Sequence, residues 1–113
     1  MNGLNSILIE GNLVHDPETK TTPNGSLVCT FSIESNRFYR KDEAMEKEVS
    51  YFDVEAWSRL GQACAENLKE GRGVRVVGRI ANRKDSIAVD GNGTEYTPVY
   101  IVAEHVEFKP SFH

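Results

Sequence analysis

Tyr51 and Trp57 lie six positions apart in the stretch Ser50-Tyr-Phe-Asp-Val-Glu-Ala-Trp-Ser-Arg-Leu60. A strand points alternate side chains to opposite faces, so Phe52, Val54 and Ala56 share one face and Tyr51, Asp53, Glu55 and Trp57 share the other. The first is a core face. The second carries acids in its middle and a large ring at each end, and two rings on one solvated face suit a flat ligand such as a nucleobase, which stacks through its π-face. A neighbouring loop or subunit covering both rings would fit the same pattern, and the sequence leaves both readings open.

Other residues extend the same chemistry. Phe38 and Tyr39 stand between Arg37 and Arg40, where rings can stack on bases while guanidinium groups meet phosphates. From Arg72 to Lys84 five basic residues (Arg72, Arg75, Arg79, Arg83, Lys84) occur with no acid, although the net charge of the chain is −4. Arg75, Arg79 and Arg83 fall on one strand face, whose alternate positions are about 7 Å apart, close to the phosphate spacing of a nucleic-acid strand. Like charges on an edge strand also block aggregation, which is the competing explanation. Overall acidity does not exclude a polyanion, because charges are screened beyond about 8 Å in physiological salt and local distribution decides.

Catalysis has little support. Asp53 and Glu55 form a carboxylate pair, but between two rings they are more simply the wet part of the face. There is no nucleophile–base set, phosphate-binding glycine loop or dinucleotide motif. Cys29 and Cys64 make neither a metal set nor a disulfide framework and are expected to be small buried hydrophobes. His15, His105 and His113 are too scattered for a zinc motif. The expectation is a protein that is not an enzyme, with no metal and no cofactor.

The elements that must position these groups follow from periodicity. At 113 residues and 39% hydrophobic content the chain fits one domain with a modest core. That domain is expected over residues 1–109, with 110–113 frayed. The apolar runs are far short of the roughly 20 residues that span a bilayer, and no signal peptide opens the chain, so a soluble cytoplasmic protein is expected. Asn5–Val14 reads as a first strand bent at Gly11, and Pro23-Asn24-Gly25 as a turn. Leu27–Glu34 alternates as a second strand, and the charged run Asn36–Glu48 is expected to be a protruding loop or hairpin tip, or in part a helical turn. After the Tyr51–Trp57 strand, Leu60, Cys64 and Leu68 recur at helical spacing, with Ser58 as the expected N-cap and Gly71 as the C-terminal stop. Gly73–Arg83 is a fourth strand, Asp90-Gly-Asn-Gly93 a hairpin tip, and Glu95–Phe108 the fifth and longest strand, restricted at Pro98. Three strands, a helix and two strands is the order of an all-β OB-fold, a partly open five-stranded barrel that binds oligonucleotides on its strand 2 and 3 face.

Ordered motifs along nearly the whole chain give a second line of inference. Ile7-Leu-Ile-Glu-Gly-Asn-Leu13, Asp16-Pro-Glu18, Thr22-Pro-Asn-Gly25, the strand into Trp57 and Leu60, Lys69-Glu-Gly71, Val76-Val-Gly-Arg-Ile80, Arg83-Lys84 and Tyr96–Phe108 occur in sequence. In that order and spacing the chain resembles the DNA-binding domain of bacterial single-stranded DNA-binding proteins. The resemblance implies sequence-independent protection of single-stranded DNA in replication, recombination and repair by a nucleoid-associated homotetramer. It implies stacking by Tyr51, Trp57 and one of Phe38 and Tyr39, with Arg59, Arg83 and Lys84 as basic contacts. Two positions depart from the family pattern: Asp85 where an aromatic often stands, and Ala81 where a base often stands. No acidic tail follows Phe108, which puts recruitment of replication and repair proteins in doubt. The alternative is an OB-fold oligomerisation or interaction module of a primosome-type complex, with the rings buried between subunits.

Overall fold

The computed structural model describes residues 2–83 and 87–110. It contains strands β1 (Ile7–Leu13), β2 (Glu18–Thr21), β3 (Leu27–Lys41) and β4 (Ala44–Trp57), helix α1 (Ser58–Asn67), and strands β5 (Gly73–Asn82), β6 (Ala88–Val89), β7 (Glu95–Tyr96) and β8 (Val99–Phe108). The main sheet runs β1-β5-β8-β4-β3-β2, and β1 pairs again with β3. That second pairing closes β1, β3, β4, β5 and β8 into the barrel of an OB-fold.

Closure depends on Gly11. Strand β1 pairs with β5 through Asn12 and joins β3 at Asn12 and Leu13. A Cβ on Gly11 would stand 2.5 Å from the backbone oxygen of Glu34, so a side chain there would push the two strands apart. The barrel is filled by Leu13, Cys29, Phe31, Ile33, Val54, Ala56, Val74, Val76, Ile101 and Val106, all buried. Cys64 and Leu68 of the helical segment join this core, and α1 packs against β3, β4 and β8. Both cysteines are free and buried, and burial, with Cys29 nearby, pushes the Cys64 thiol up to about 12. Among the described residues no helix is long and apolar enough to cross a membrane.

Several expected elements take a different form. Of the forms expected for Asn36–Glu48, the structure shows the protruding hairpin tip, fully paired, and not a loop or a helical turn. Strands β3 and β4 pair from Val28↔Trp57 to Lys41↔Ala44, and Asp42 and Glu43 make a two-residue turn with φ of 49° and 68°. Both turn residues are left-handed, which matches the twist of a tight hairpin. The arm leaves the barrel, and the radius of gyration is 16.0 Å, against about 13 Å for a compact chain of this length. Strand β2 was not expected, because Glu-Thr-Lys-Thr is wholly exposed and has no apolar alternation. Ser58 is not the N-cap: Trp57 takes that place without a side-chain cap, and Ser58 itself has φ of 56°. Gly71 does not end the helix, which stops at Asn67; its φ of 86° serves the turn into β5, where its N–H donates to Leu13 O at 2.9 Å. The expected last strand is broken at Thr97-Pro98, and its first part pairs with β6 around the Asp90–Gly93 tip. The longest strand is therefore β3, with 15 residues.

Candidate nucleic-acid interface

The β3–β4 register assigns every side chain of the ribbon to a face. Opposed pairs are Trp57↔Val28, Glu55↔Thr30, Asp53↔Ser32, Tyr51↔Glu34 and Lys47↔Phe38. Because Cys29, Phe31, Ile33, Val54 and Ala56 point into the core, the alternating pleat turns Trp57, Tyr51 and Phe38 outward on one side. Their exposures are 39%, 65% and 65%. Tyr51 stands about 20 Å from Trp57, and the level of Phe38 is about 13 Å further along the arm. Tyr39 belongs to the opposite face, half-buried, with the Arg37 guanidinium 5.1 Å from its ring centroid. Parity thus separates two rings that adjacency in sequence left equivalent. Arg40 shares the Phe38 face, and Arg59 is exposed in the first turn of α1.

The acids between the rings are not bare. Asp53 accepts a hydrogen bond from the Ser32 hydroxyl at 2.7 Å and another from Arg83 Nη2 at 3.4 Å. Arg83 Nη1 lies 3.9 Å from Glu55 Oε2, and its guanidinium stacks on Tyr100, 4.7 Å from the centroid. Glu55 Oε1 accepts from the Trp57 indole N–H at 3.2 Å. One cation therefore serves two carboxylates and an aromatic face. Beside Trp57 opens a cleft of about 430 Å³, lined by Glu55, Asp53, Thr30, Glu18, Lys20 and Arg83 among others.

The same outward face continues around the barrel. Glu18 pairs with Thr30, Thr30 with Glu55, Glu55 with Val102 and Val102 with Arg79. Arg79 is exposed and, among the described residues, makes no ion pair. Arg75 lies elsewhere. Its guanidinium reaches Glu10 at 2.5 Å and Glu107 at 3.2 Å, and Glu10 also meets Lys109 Nζ at 2.6 Å. Lys109 and Arg75 hold the Glu10 carboxyl below its ordinary range, and Glu10 in turn raises Arg75. The expected row of three arginines is thus divided: Arg79 and Arg83 stand beside the ring-bearing face, and Arg75 is held in an ion-pair network. Lys84 and Asp85 lie outside the described residues. Sequence reasoning missed Tyr100, which alternation with Ile101 could have placed outward, and Lys20, hidden in a stretch without strand periodicity.

The family model described as the single-strand binding protein family matches residues 4–109. Single-stranded DNA-binding protein 2 of Chlorobaculum tepidum is 35% identical over 107 residues, covering 93% of this chain and 70% of that protein. The single-stranded DNA-binding protein of Caldanaerobacter subterraneus subsp. tengcongensis is 32% identical over 105 residues, covering 93% of this chain and 67% of that protein. For single-stranded DNA-binding protein A of Bacillus subtilis the identity is 31% over 105 residues, with 93% of this chain and 59% of that protein covered.

Proposed function

The chain belongs to the single-strand binding protein family and binds single-stranded DNA, and from that premise we propose that it does so on the outward face of β3 and β4. The observation that carries this reading is the placement of Phe38, Tyr51 and Trp57 on one side of a single ribbon, all exposed. Each base stacked on a ring contributes roughly 1–3 kcal/mol and any base serves, while a duplex hides its base faces. Phosphates meet the cations that flank the rings, Arg40, Arg59, Arg79 and Arg83, with Lys20 added by the cleft; Lys84, outside the described residues, is a further basic contact by family resemblance. Their contribution falls with salt as counterions are released. Arg37, stacked on Tyr39, is a lesser contact, and Arg75 serves the barrel wall.

The protein acts as a homo-oligomer, by family analogy a tetramer. Ile7, Ile80 and Val99 line a groove of about 400 Å³ with Tyr51 and Tyr100, Leu8 is exposed, and among the described residues the start of β1 pairs with β5 alone. An exposed apolar surface at an open strand edge favours self-association. Roles in replication, recombination and repair follow from binding unpaired DNA.

The test is titration of the single tryptophan, Trp57, with oligo(dT). Strong quenching that weakens with salt is expected; no quenching at low salt, or equal affinity for duplex, would refute the assignment. Sedimentation with and without oligo(dT) reads the oligomeric state in the same samples.

A further inference from the structure

We propose that His15 is a phosphate contact of the interface, made only in its protonated form, so that binding of single-stranded DNA takes up a proton there. The inference rests on the reading of this face as the DNA interface and adds to it a contact whose strength is set by pH.

The side chain is presented by a short loop that is pinned on both sides. Before it, the Val14 N–H donates to Ser32 O at 3.1 Å. After it, Asp16 Oδ1 accepts the Glu70 N–H at 2.8 Å, and Glu18 begins β2. The bond to Ser32 brings the loop to the level of Asp53, which is paired with Ser32 across the ribbon. His15 is exposed there and lines the cleft of about 430 Å³ together with Trp57. DNA that runs from Trp57 to Tyr51 must cross this level, the acidic middle of the face.

Few cations are free to meet it there. Around the cleft β2 supplies Glu18 and Lys20, β4 supplies Asp53 and Glu55, β5 leads to Arg83, and β3 offers only the uncharged Thr30 and Ser32. Arg83 is shared by Asp53 and Glu55. Lys20 stands at the level of Trp57, through Val28, and not at that of Asp53. The Asp16 carboxylate is turned to the backbone of Glu70. A protonated imidazole at His15 is the further cation for a phosphate that passes Asp53.

The ring's own bond fixes which nitrogen is open to a ligand. Nδ1 lies 2.8 Å from Asp16 O, and a carbonyl oxygen only accepts, so in the neutral ring Nδ1 carries the proton. Nε2 then holds a lone pair, and among the described residues it has no hydrogen-bond partner. A phosphate oxygen is likewise an acceptor. It is repelled by that lone pair and bonded by the Nε2–H of the imidazolium, so a proton from solvent joins Nε2 as the phosphate docks. Histidine changes charge between about pH 5 and 8, and the contact is gained as pH falls through that range.

A short rhodamine-labelled oligo(dT), which does not titrate in that range, tests the proposal by anisotropy at low salt. The native chain is expected to bind about three- to tenfold tighter at about pH 6 than at about pH 8. His15→Gln should match the native chain at the higher pH and lose most of the gain at the lower one. His15→Arg, cationic at both, should bind at the higher pH as tightly as the native chain does at the lower. Because a phosphate contact releases a counterion, the slope of log K against log salt at the lower pH should be steeper in the native chain than in His15→Gln by about 0.7. Equal slopes would put the ring on a base oxygen and overturn the phosphate assignment. Calorimetry in two buffers of different ionisation enthalpy counts the protons taken up, and the count should fall in His15→Gln. An equal pH response or equal proton uptake in the native chain and His15→Gln, or a response lost in His105→Gln instead, overturns the proposal and leaves the DNA interface standing. If the native chain binds oligo(dT) at neither pH, the interface falls with it.

Discussion

On the β1–β5–β8 wall Arg75 meets two carboxylates and Glu10 meets two cations, whereas on the β3–β4 ribbon one arginine serves two acids while three rings stay open to solvent. Both regions are strands with alternating core and outer positions, and both carry arginine on the outer side. The difference is in what stands opposite. Register puts Glu10 and Glu107 directly across from Arg75 on both neighbouring strands, so that charge is neutralised within the sheet. Arg79 sits opposite Val102 and has no such partner there. An outward cation therefore becomes available to a ligand through its cross-strand neighbours, which the residue's own sequence context does not reveal.

The comparison breaks most directly at its two ends. Trp57→Ala should cost roughly 1–3 kcal/mol in affinity for a fluorescein-labelled oligo(dT), measured by anisotropy because the intrinsic reporter is lost. Arg75→Ala should change that affinity by less than about 0.5 kcal/mol, as an exposed pair with no ligand contact. Equal losses in the two variants would erase the distinction between ribbon and wall. Within the ribbon, parity makes a finer claim: Phe38→Ala should weaken binding by about 1 kcal/mol and Tyr39→Ala by clearly less. A reversed order would mean that DNA follows the other face of the arm. Smaller still is the effect of charge between the rings. Asp53→Asn removes one negative charge from the face and frees Arg83 for phosphate, and oligo(dT) should bind about 0.5–1 kcal/mol tighter. Weaker binding would show that Asp53 is needed to hold Arg83 in place.

The barrel strands were legible because Leu27–Ile33 and Phe52–Ala56 alternate against a core, and burial imposes period two on sequence. The outer arm was legible only as one of several forms, a hairpin tip beside a loop or a helical turn, for the opposite reason. Past Ser35 the ribbon has no core to face, so Asn36–Lys41 and Ala44–Val49 are held by ladder hydrogen bonds and a left-handed two-residue turn at Asp42-Glu43, none of which requires an apolar pattern. For the site, Tyr51 and Trp57 could be placed on one face from spacing alone. Which of Phe38 and Tyr39 shares the face of Tyr51 and Trp57 needed the register, and the ion pairs of Arg75 needed strands some 65 and 32 positions distant in sequence. Pairing across the barrel is set by closure at Gly11, and no local pattern near Arg75 records it.

The least of the expected effects tests the wall itself. The Glu10 carboxyl is held below its ordinary value of 4.5, first by the hydrogen bond from Lys109 and then by that from Arg75. A carboxyl whose pKa is lower in the folded than in the unfolded chain adds stability that is present above the unfolded value and is lost as pH falls through the folded one. At neutral pH and low salt the native chain should therefore melt at a higher temperature than Glu10→Gln, and the gap should close as pH is taken below 4.5. Added salt should narrow it as well, since all three pairs are at the surface. A gap that persists in acid would assign the effect to packing of the Glu10 side chain. No gap at neutral pH would mean that these ion pairs only occupy the charges of the wall, keeping Arg75 from the DNA without stabilising the barrel.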